Sequence, residues 1–136
     1  MNGSHFPTLA RIDEHRLITA CRHGVVHLIW DQVTIRLAAA SFERLVHLLD
    51  QATRSAWPPS FEDGELGVSA HNDGTFGVRI EQVVLVLSAS ELKALARAAD
   101  QAAHRLQELM ASPEWEQEPE EDNPLEIFRQ VRFSRN

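Results

Sequence analysis

Residues 18–52 read ITACRHGVVHLIWDQVTIRLAAASFERLVHLLDQA, and residues 68–102 read VSAHNDGTFGVRIEQVVLVLSASELKALARAADQA. The two stretches align without a gap at an offset of 50 residues and share ten identical positions. Chance would give roughly two identities in such a window at average residue usage. The alignment therefore predicts a tandem duplication. The identical pairs are Ala20/Ala70, Gly24/Gly74, Gln32/Gln82, Val33/Val83, Leu37/Leu87, Ala39/Ala89, Leu45/Leu95, Asp50/Asp100, Gln51/Gln101 and Ala52/Ala102.

Within each unit the hydrophobic period changes from two residues to a helical spacing. Short segments rich in apolar residues and bounded by turns occur at 17–22, 25–30 and 33–37, and again at 67–71, 75–80 and 83–87, which predicts three strands per unit. The period then becomes helical, and in the second unit Ser88 with Glu91 three residues later predicts a capping box at the helix start. Each unit is therefore predicted to be βββα.

The strand period also assigns side chains to the two faces of the predicted sheet. The larger hydrophobic residues share one parity and are expected beneath the helices, which gives an α+β fold with one mostly antiparallel six-stranded sheet and two helices on one face. The opposite face is too apolar to serve only as a solvated surface, so we expect it to bind a partner. The residues predicted for that contact are Val25, His27, Ile29, Arg36, Arg79, Val84 and Val86.

The charge of the chain is concentrated near its C-terminus. Six acidic residues and no basic residue lie between Glu114 and Asp122, out of a net charge of −7 for all 136 residues. We therefore predict a duplicated domain over 1–111, with units 17–54 and 67–111 and a linker over 55–66. An acidic linker over 112–123 and a docking segment over 124–136 follow. Neither the domain nor the linker has the basic surface that nucleic-acid binding requires.

Composition favours a cytoplasmic protein. A single cysteine, Cys21, excludes an internal disulfide and is typical of a reducing compartment. The first residues lack the apolar core of a signal peptide, and no apolar run approaches the roughly 20 residues of a membrane span.

The last residues of the chain combine large apolar side chains with basic ones. Ile127, Phe128, Val131 and Phe133 are more hydrophobic than a solvated tail requires. The segment is expected either to fold back on its own domain or to dock on a partner, and its spacing fits a strand as well as a helix.

A motif in the first unit resembles a known family. It reads Cys21-x-x-Gly24-x-x-His27-Leu28-x-Trp30-x-Gln32-Val33, followed by Leu37 and Phe42. This is similar to a family of short bacterial proteins of unknown function, which carry C-x-x-C, a His or aromatic residue before Leu, and a strand that leads into a helix. Gly24 stands where that family has its second cysteine. The resemblance implies the strand–helix unit and no activity.

Two functions from different classes follow from these patterns. The first is a non-enzymatic interaction protein without a cofactor, which binds a protein partner or forms a homodimer through the sheet face and the C-terminal segment. The alternative is a metal-binding or thiol-dependent protein centred on Cys21, His27 and His71, although their spacing matches no standard zinc motif. A third possibility is an anion gripped between Arg36 and Arg79.

Overall fold

The computed structural model describes residues 7–21, 23–54 and 60–111. In this part of the chain each half contributes four strands followed by one helix. The elements are β1 (Thr8–Asp13), β2 (Arg16–Ala20), β3 (Val25–Trp30), β4 (Val33–Ala38), α1 (Ala39–Arg54), β5 (Phe61–Asp63), β6 (Leu66–Ala70), β7 (Phe76–Ile80), β8 (Val83–Leu87) and α2 (Ala89–Met110).

The strands form two four-stranded antiparallel sheets, ordered β1-β2-β3-β4 and β5-β6-β7-β8. We call them the N-terminal sheet and the C-terminal sheet. The fold is α+β, but the predicted single six-stranded sheet is wrong. The predicted βββα unit is wrong as well, because each half has one more strand at its start. Strands β4 and β8 end their sheets, and no hydrogen-bonded ladder joins them in the part of the chain that the structure describes.

The two additional strands lack the alternation that reveals a strand in a sequence. The pairing of β1 with β2 is shifted between Thr8 and Ala10, and a second irregularity follows Arg11. Because of the first shift, the consecutive residues Leu9 and Ala10 are both buried. Strand β5 has only three residues and lies within the stretch predicted to be a linker.

Each helix covers a large part of the sheet of the other half. Helix α1 packs against α2 and extends over β5 and β6, while α2 packs against β1 and β2. Two ion pairs follow the same pattern: Arg44 of α1 pairs with Asp63 of β5 at 3.2 Å, and Arg16 of β2 pairs with Glu91 of α2 at 3.1 Å. The two halves therefore share one continuous hydrophobic core.

The assignment of inner faces from the strand period is confirmed for most positions. Seven residues expected beneath the helices are at most 6% exposed, whereas Val33 is 38% exposed and Ala70 is also exposed. Val33 is the first residue of β4, and Ala70 is the last residue of β6. The seven buried residues are Leu28, Trp30, Ile35, Leu37, Val78, Leu85 and Leu87.

The start of α2 matches its sequence signature. The Ser88 hydroxyl accepts a hydrogen bond from the Glu91 backbone N–H at 3.1 Å, and a Glu91 carboxylate oxygen accepts one from the Ser88 N–H at 2.8 Å. The predicted capping box is confirmed. None of the described helices is long and apolar enough to span a bilayer, and α2, the longest, carries charges along its length.

The β3–β4 and β7–β8 turns have the same backbone conformation. Asp31 and Glu81, which are 50 residues apart in the chain, adopt φ angles of +58° and +59°. This left-handed region is unfavourable for a residue with a Cβ atom. The two turns are therefore structurally equivalent, and their shared position in the two halves accounts for the matching carboxylates without requiring that the two act together.

Candidate functional site: the outer face of the C-terminal sheet

The predicted contact residues lie on two separate sheets. Val25, His27 and Ile29 lie half-buried on the outer face of the N-terminal sheet, the face turned away from the helices. Val84 and Val86 lie on the outer face of the C-terminal sheet. The surface expected from a single sheet is therefore divided between the two sheets.

The most exposed apolar side chains belong to β8. Val84 is 55% exposed and Val86 is 61% exposed, and both point to the same side because they are two residues apart on a strand. The equivalent positions of the first half are Thr34 and Arg36, both polar. The apolar pair is therefore specific to the second half and does not follow from the duplication.

Next to this pair, two glycines form the floor of a hollow of about 140 Å³. A Cβ atom on Gly67 would lie 3.2 Å from Nη2 of Arg79, and one on Gly77 would lie 3.0 Å from Nε2 of His71. The guanidinium of Arg79 thus lies over the backbone of Gly67, and the imidazole of His71 lies over the backbone of Gly77. We call this hollow the glycine groove: Gly67 and Gly77 are its floor, and Phe61, Ser69, His71 and Arg79 are its walls. Val84 and Glu62 also line it.

The first half has no such floor. In the C-terminal sheet Gly67 is paired with Arg79, whereas the same rung of the N-terminal sheet pairs Leu17 with Ile29. His27 stands at the position of Gly77. The two sheets thus differ at three equivalent positions. Two of them are glycines in the C-terminal sheet, so backbone without side chains lines the outer face of that sheet only.

Arg79 differs from Arg16, the other arginine that the structure describes as partly buried. The guanidinium of Arg16 pairs with Asp31 at 3.1 Å and lies 4.5 Å from the centre of the Trp30 ring. Arg79 is half-buried on β7 and has no ion pair or hydrogen bond among the described residues. Its N–H donors therefore have no acceptor among the described residues, and its guanidinium lies over Gly67 in the groove.

His71 is held in position from one side. Its Nδ1 lies 3.1 Å from the Thr75 hydroxyl, which itself donates to a carboxylate oxygen of Asp73 at 2.7 Å. Because that hydroxyl has only one proton, Nδ1 of His71 is the donor to Thr75. Hydrogen bonds from Thr75 lower the pKa of Asp73 below its usual range. The imidazole is thereby fixed as a wall of the groove.

The residues of the predicted metal or thiol centre are divided between the sheets. Cys21 follows β2 and His27 lies on β3 of the N-terminal sheet, whereas His71 follows β6 of the C-terminal sheet. Within the described ranges no group of three or more His, Cys, Asp or Glu side chains is placed to hold a metal ion. Burial and the nearby charge of Arg36 lower the pKa of His27.

Arg36 and Arg79 do not share a cavity. Arg36 lies beside an opening of about 390 Å³ between 34–36 of β4 and 80–83 at the β7–β8 turn. Arg79 faces the glycine groove. The prediction that both arginines bind one anion assumed a single sheet. It is wrong, because the structure places the two guanidinium groups at different cavities.

A wider groove of about 700 Å³ lies between α1 and α2. Its lining mixes Lys93 and Arg97 with the acidic Asp50 and Asp100, and Arg54 pairs with Asp50 at 2.9 Å. The hydrogen bond and charge of Asp50 raise the pKa of Arg54. This open surface carries both signs of charge and selects no class of ligand.

Sequence reasoning missed the groove, although a signal for it was present. Gly67 and Gly77 lie in strands, where glycine often marks a close approach to the backbone. Leu17 and His27 occupy the equivalent positions in the first unit. The alignment therefore shows that the outer face of the second unit lacks two side chains that the first unit has. The predicted docking residues Ile127, Phe128, Val131 and Phe133 lie outside the described residues.

No protein-family model, curated protein or solved structure matches this chain. The resemblance of the first unit to a family of short bacterial proteins therefore stays a prediction. The case for a function rests on the geometry of the described residues.

Proposed function

We propose that this is a non-catalytic binding protein that contacts a protein partner through the outer face of its C-terminal sheet. The exposure of Val84 and Val86 carries the proposal. Two neighbouring β-branched side chains on the last strand of a sheet are the kind of surface that soluble proteins usually cover or interrupt with charge. The first half has that polar version, with Thr34 and Arg36, so the apolar pair is a feature that one unit has and the other lacks.

The partner is either another protein or a second copy of this chain. The segment 124–136, with Ile127, Phe128, Val131 and Phe133, remains a proposed second contact, and the cytoplasm remains the proposed compartment. A bound protein would shield the methyl groups of Val84 and Val86 from water, and hydrophobic burial contributes roughly 25 cal/mol per Å² of apolar surface.

Site-specific photo-crosslinking in the expressing cell tests this proposal. Val84→p-benzoylphenylalanine places the reactive group on the proposed surface, and Thr34→p-benzoylphenylalanine is the matched control on the other sheet. We expect a discrete adduct at position 84 that is absent or much weaker at 34. Adding Val86→Arg, the residue type of the first half, should remove it.

The mass of the adduct identifies the partner. Twice the mass of the chain indicates a second copy, and any other discrete mass indicates a different protein. Equal labelling at 34 and 84, or an adduct at 84 that survives Val86→Arg, would contradict the proposal.

A further inference from the structure

We infer that the glycine groove binds an acidic side chain of the protein that docks on Val84 and Val86. This rests on the proposed function and adds the chemistry of the partner to it. Val84 lines the groove and also belongs to the apolar pair, so a partner that covers the pair lies directly beside the groove. The partner's contact surface is thus apolar with a carboxylate next to it.

The size of the groove fits such a side chain. Its volume of about 140 Å³ is close to the ~150 Å³ of an apolar cavity that accepts benzene. A glutamate side chain is of similar size and length. Its methylene groups would lie against Phe61 and Val84, and its carboxylate would reach the guanidinium of Arg79 above Gly67.

Arg79 supplies the specificity for a carboxylate. A planar guanidinium forms two parallel hydrogen bonds with a carboxylate, and those bonds are stronger in a partly buried site than in water. Arg79 is half-buried and has no ion pair or hydrogen bond among the described residues. A partner carboxylate would satisfy donors that have no acceptor among the described residues.

The lining of the groove offers a ligand one guanidinium. Arg79 carries the fixed positive charge of the lining, and Glu62 carries a negative one at the exposed side. A phosphate dianion would double the attraction to Arg79 and the repulsion from Glu62 alike, so the charge number alone does not separate the two ligands. The two oxygens of a carboxylate match the paired N–H groups of one guanidinium, whereas the further charged oxygens of a phosphate would find no second arginine or lysine in the lining. The single guanidinium therefore favours an acidic side chain over a phosphorylated one.

The duplication supplies an internal comparison. A groove that served only folding would be expected in both halves, because both sheets have the same strand order. The first half instead fills the rung with Leu17 and Ile29 and has polar residues at the positions of the apolar pair. The open floor, the arginine and the exposed valines thus occur together on one sheet and are absent together from the other.

Titration of the full chain with a minimal probe tests the inference. Sodium propionate reproduces the glutamate side chain, and propionamide is its uncharged counterpart, each added at constant ionic strength. We expect the backbone amide resonances of Gly67 and Gly77 to shift saturably with propionate. That of Gly24, in a turn of the other sheet, should stay in place and serves as the control. Propionamide and inorganic phosphate should bind less tightly than propionate.

Two variants locate the binding. Arg79→Gln should weaken propionate binding by about tenfold or more, because the guanidinium carries the positive charge that pairs with the carboxylate. Gly67→Leu restores the residue of the first half and should abolish binding by filling the floor. Its backbone needs no left-handed conformation, but the added Cβ would lie 3.2 Å from Nη2 of Arg79, so that flexible side chain has to shift for leucine to fit. Retained dispersion of the amide spectrum verifies that each variant is folded.

Propionamide binding as tightly as propionate, phosphate binding more tightly, or Arg79→Gln binding unchanged would each overturn the inference. These outcomes are separate from those of the crosslinking experiment. Loss of the adduct at position 84 together with an unchanged propionate titration would leave the carboxylate site standing and remove the docking surface. The reverse result would keep the docking surface and remove the acidic partner.

Discussion

Replacing Glu91 by glutamine separates two contributions of a single carboxylate, one to the start of α2 and the other to the contact between the halves. One oxygen accepts the hydrogen bond from the Ser88 N–H that closes the capping box, and the other pairs with Arg16 at 3.1 Å. Glutamine retains an oxygen acceptor and can keep the capping box, but it loses the charge. Alanine removes both interactions.

The expected losses of stability differ accordingly. The side chains of Arg16 and Glu91 are 23% and 33% exposed, so their ion pair contributes about 0.3–1 kcal/mol. A capping interaction contributes about 1 kcal/mol. We therefore expect Glu91→Gln to lower the free energy of unfolding by about 0.5 kcal/mol and Glu91→Ala by about 1.5 kcal/mol.

The pH dependence of the difference in unfolding free energy between wild type and Glu91→Gln provides a second test. The hydrogen bond from the Ser88 backbone, followed by the charge of Arg16, lowers the pKa of Glu91. A carboxylate with a lowered pKa in the folded state stabilises the protein above its unfolded pKa, near 4.3. This stabilisation is lost as the pH falls through the folded value. The difference between wild type and Glu91→Gln should therefore be constant near neutral pH and shrink below about pH 4.

Urea unfolding followed by circular dichroism measures these differences. Glu108→Gln is the matched control, since Glu108 lies on the same helix and is exposed. It should leave the unfolding free energy nearly unchanged. If Glu91→Gln lost as much stability as Glu91→Ala, the capping box would not tolerate an amide. The division of the Glu91 contribution into a capping hydrogen bond and an ion pair would then be wrong. If neither variant lost stability, Glu91 would not support the contact between the halves.

Two further changes test the core and the turns. Leu37→Ala, at a position that is 1% exposed, should lower the unfolding free energy by about 2–5 kcal/mol. Val33→Ala, at 38% exposure on the same strand, should lower it by well under half of that in the same urea titration. Glu81→Gly removes a side chain from a left-handed position and should raise the melting temperature, with a gain of about 0.5–1 kcal/mol. Asp31→Gly should gain less, because it also removes the pair with Arg16, and an equal gain at both positions in calorimetry would contradict this.

Local patterns predicted local structure well. The alternation of Val26, Leu28 and Trp30 identified the buried face of β3, and the Ser88–Glu91 spacing identified the start of α2. These features depend on the period of a strand or on hydrogen bonds over three residues, so a single sequence contains them.

Long-range arrangement was not predictable in the same way. Leu9 and Ala10 are both buried because β1 is shifted against β2, and a shift of this kind removes the alternation that identifies a strand. The number of sheets depends on whether β4 and β8 pair, and no periodicity within either strand contains that information. The grouping of Arg36 with Arg79 failed for this reason, since it assumed that all strands share one sheet. The glycine groove required the alignment of the halves position by position.

The exchange of helices between the halves has a consequence for how such a chain could arise. Because the helix of the other half covers part of each sheet, a half on its own would leave part of its core exposed, and two identical copies would cover each other in the same way as a symmetric dimer. A gene fusion that joins two such copies preserves the packing and releases the copies from identity. One copy can then change its outer surface without changing the other. The asymmetry between Leu17 and Gly67, on a body whose two sheets have the same strand order, is the kind of divergence that a fused dimer permits and a homodimer forbids.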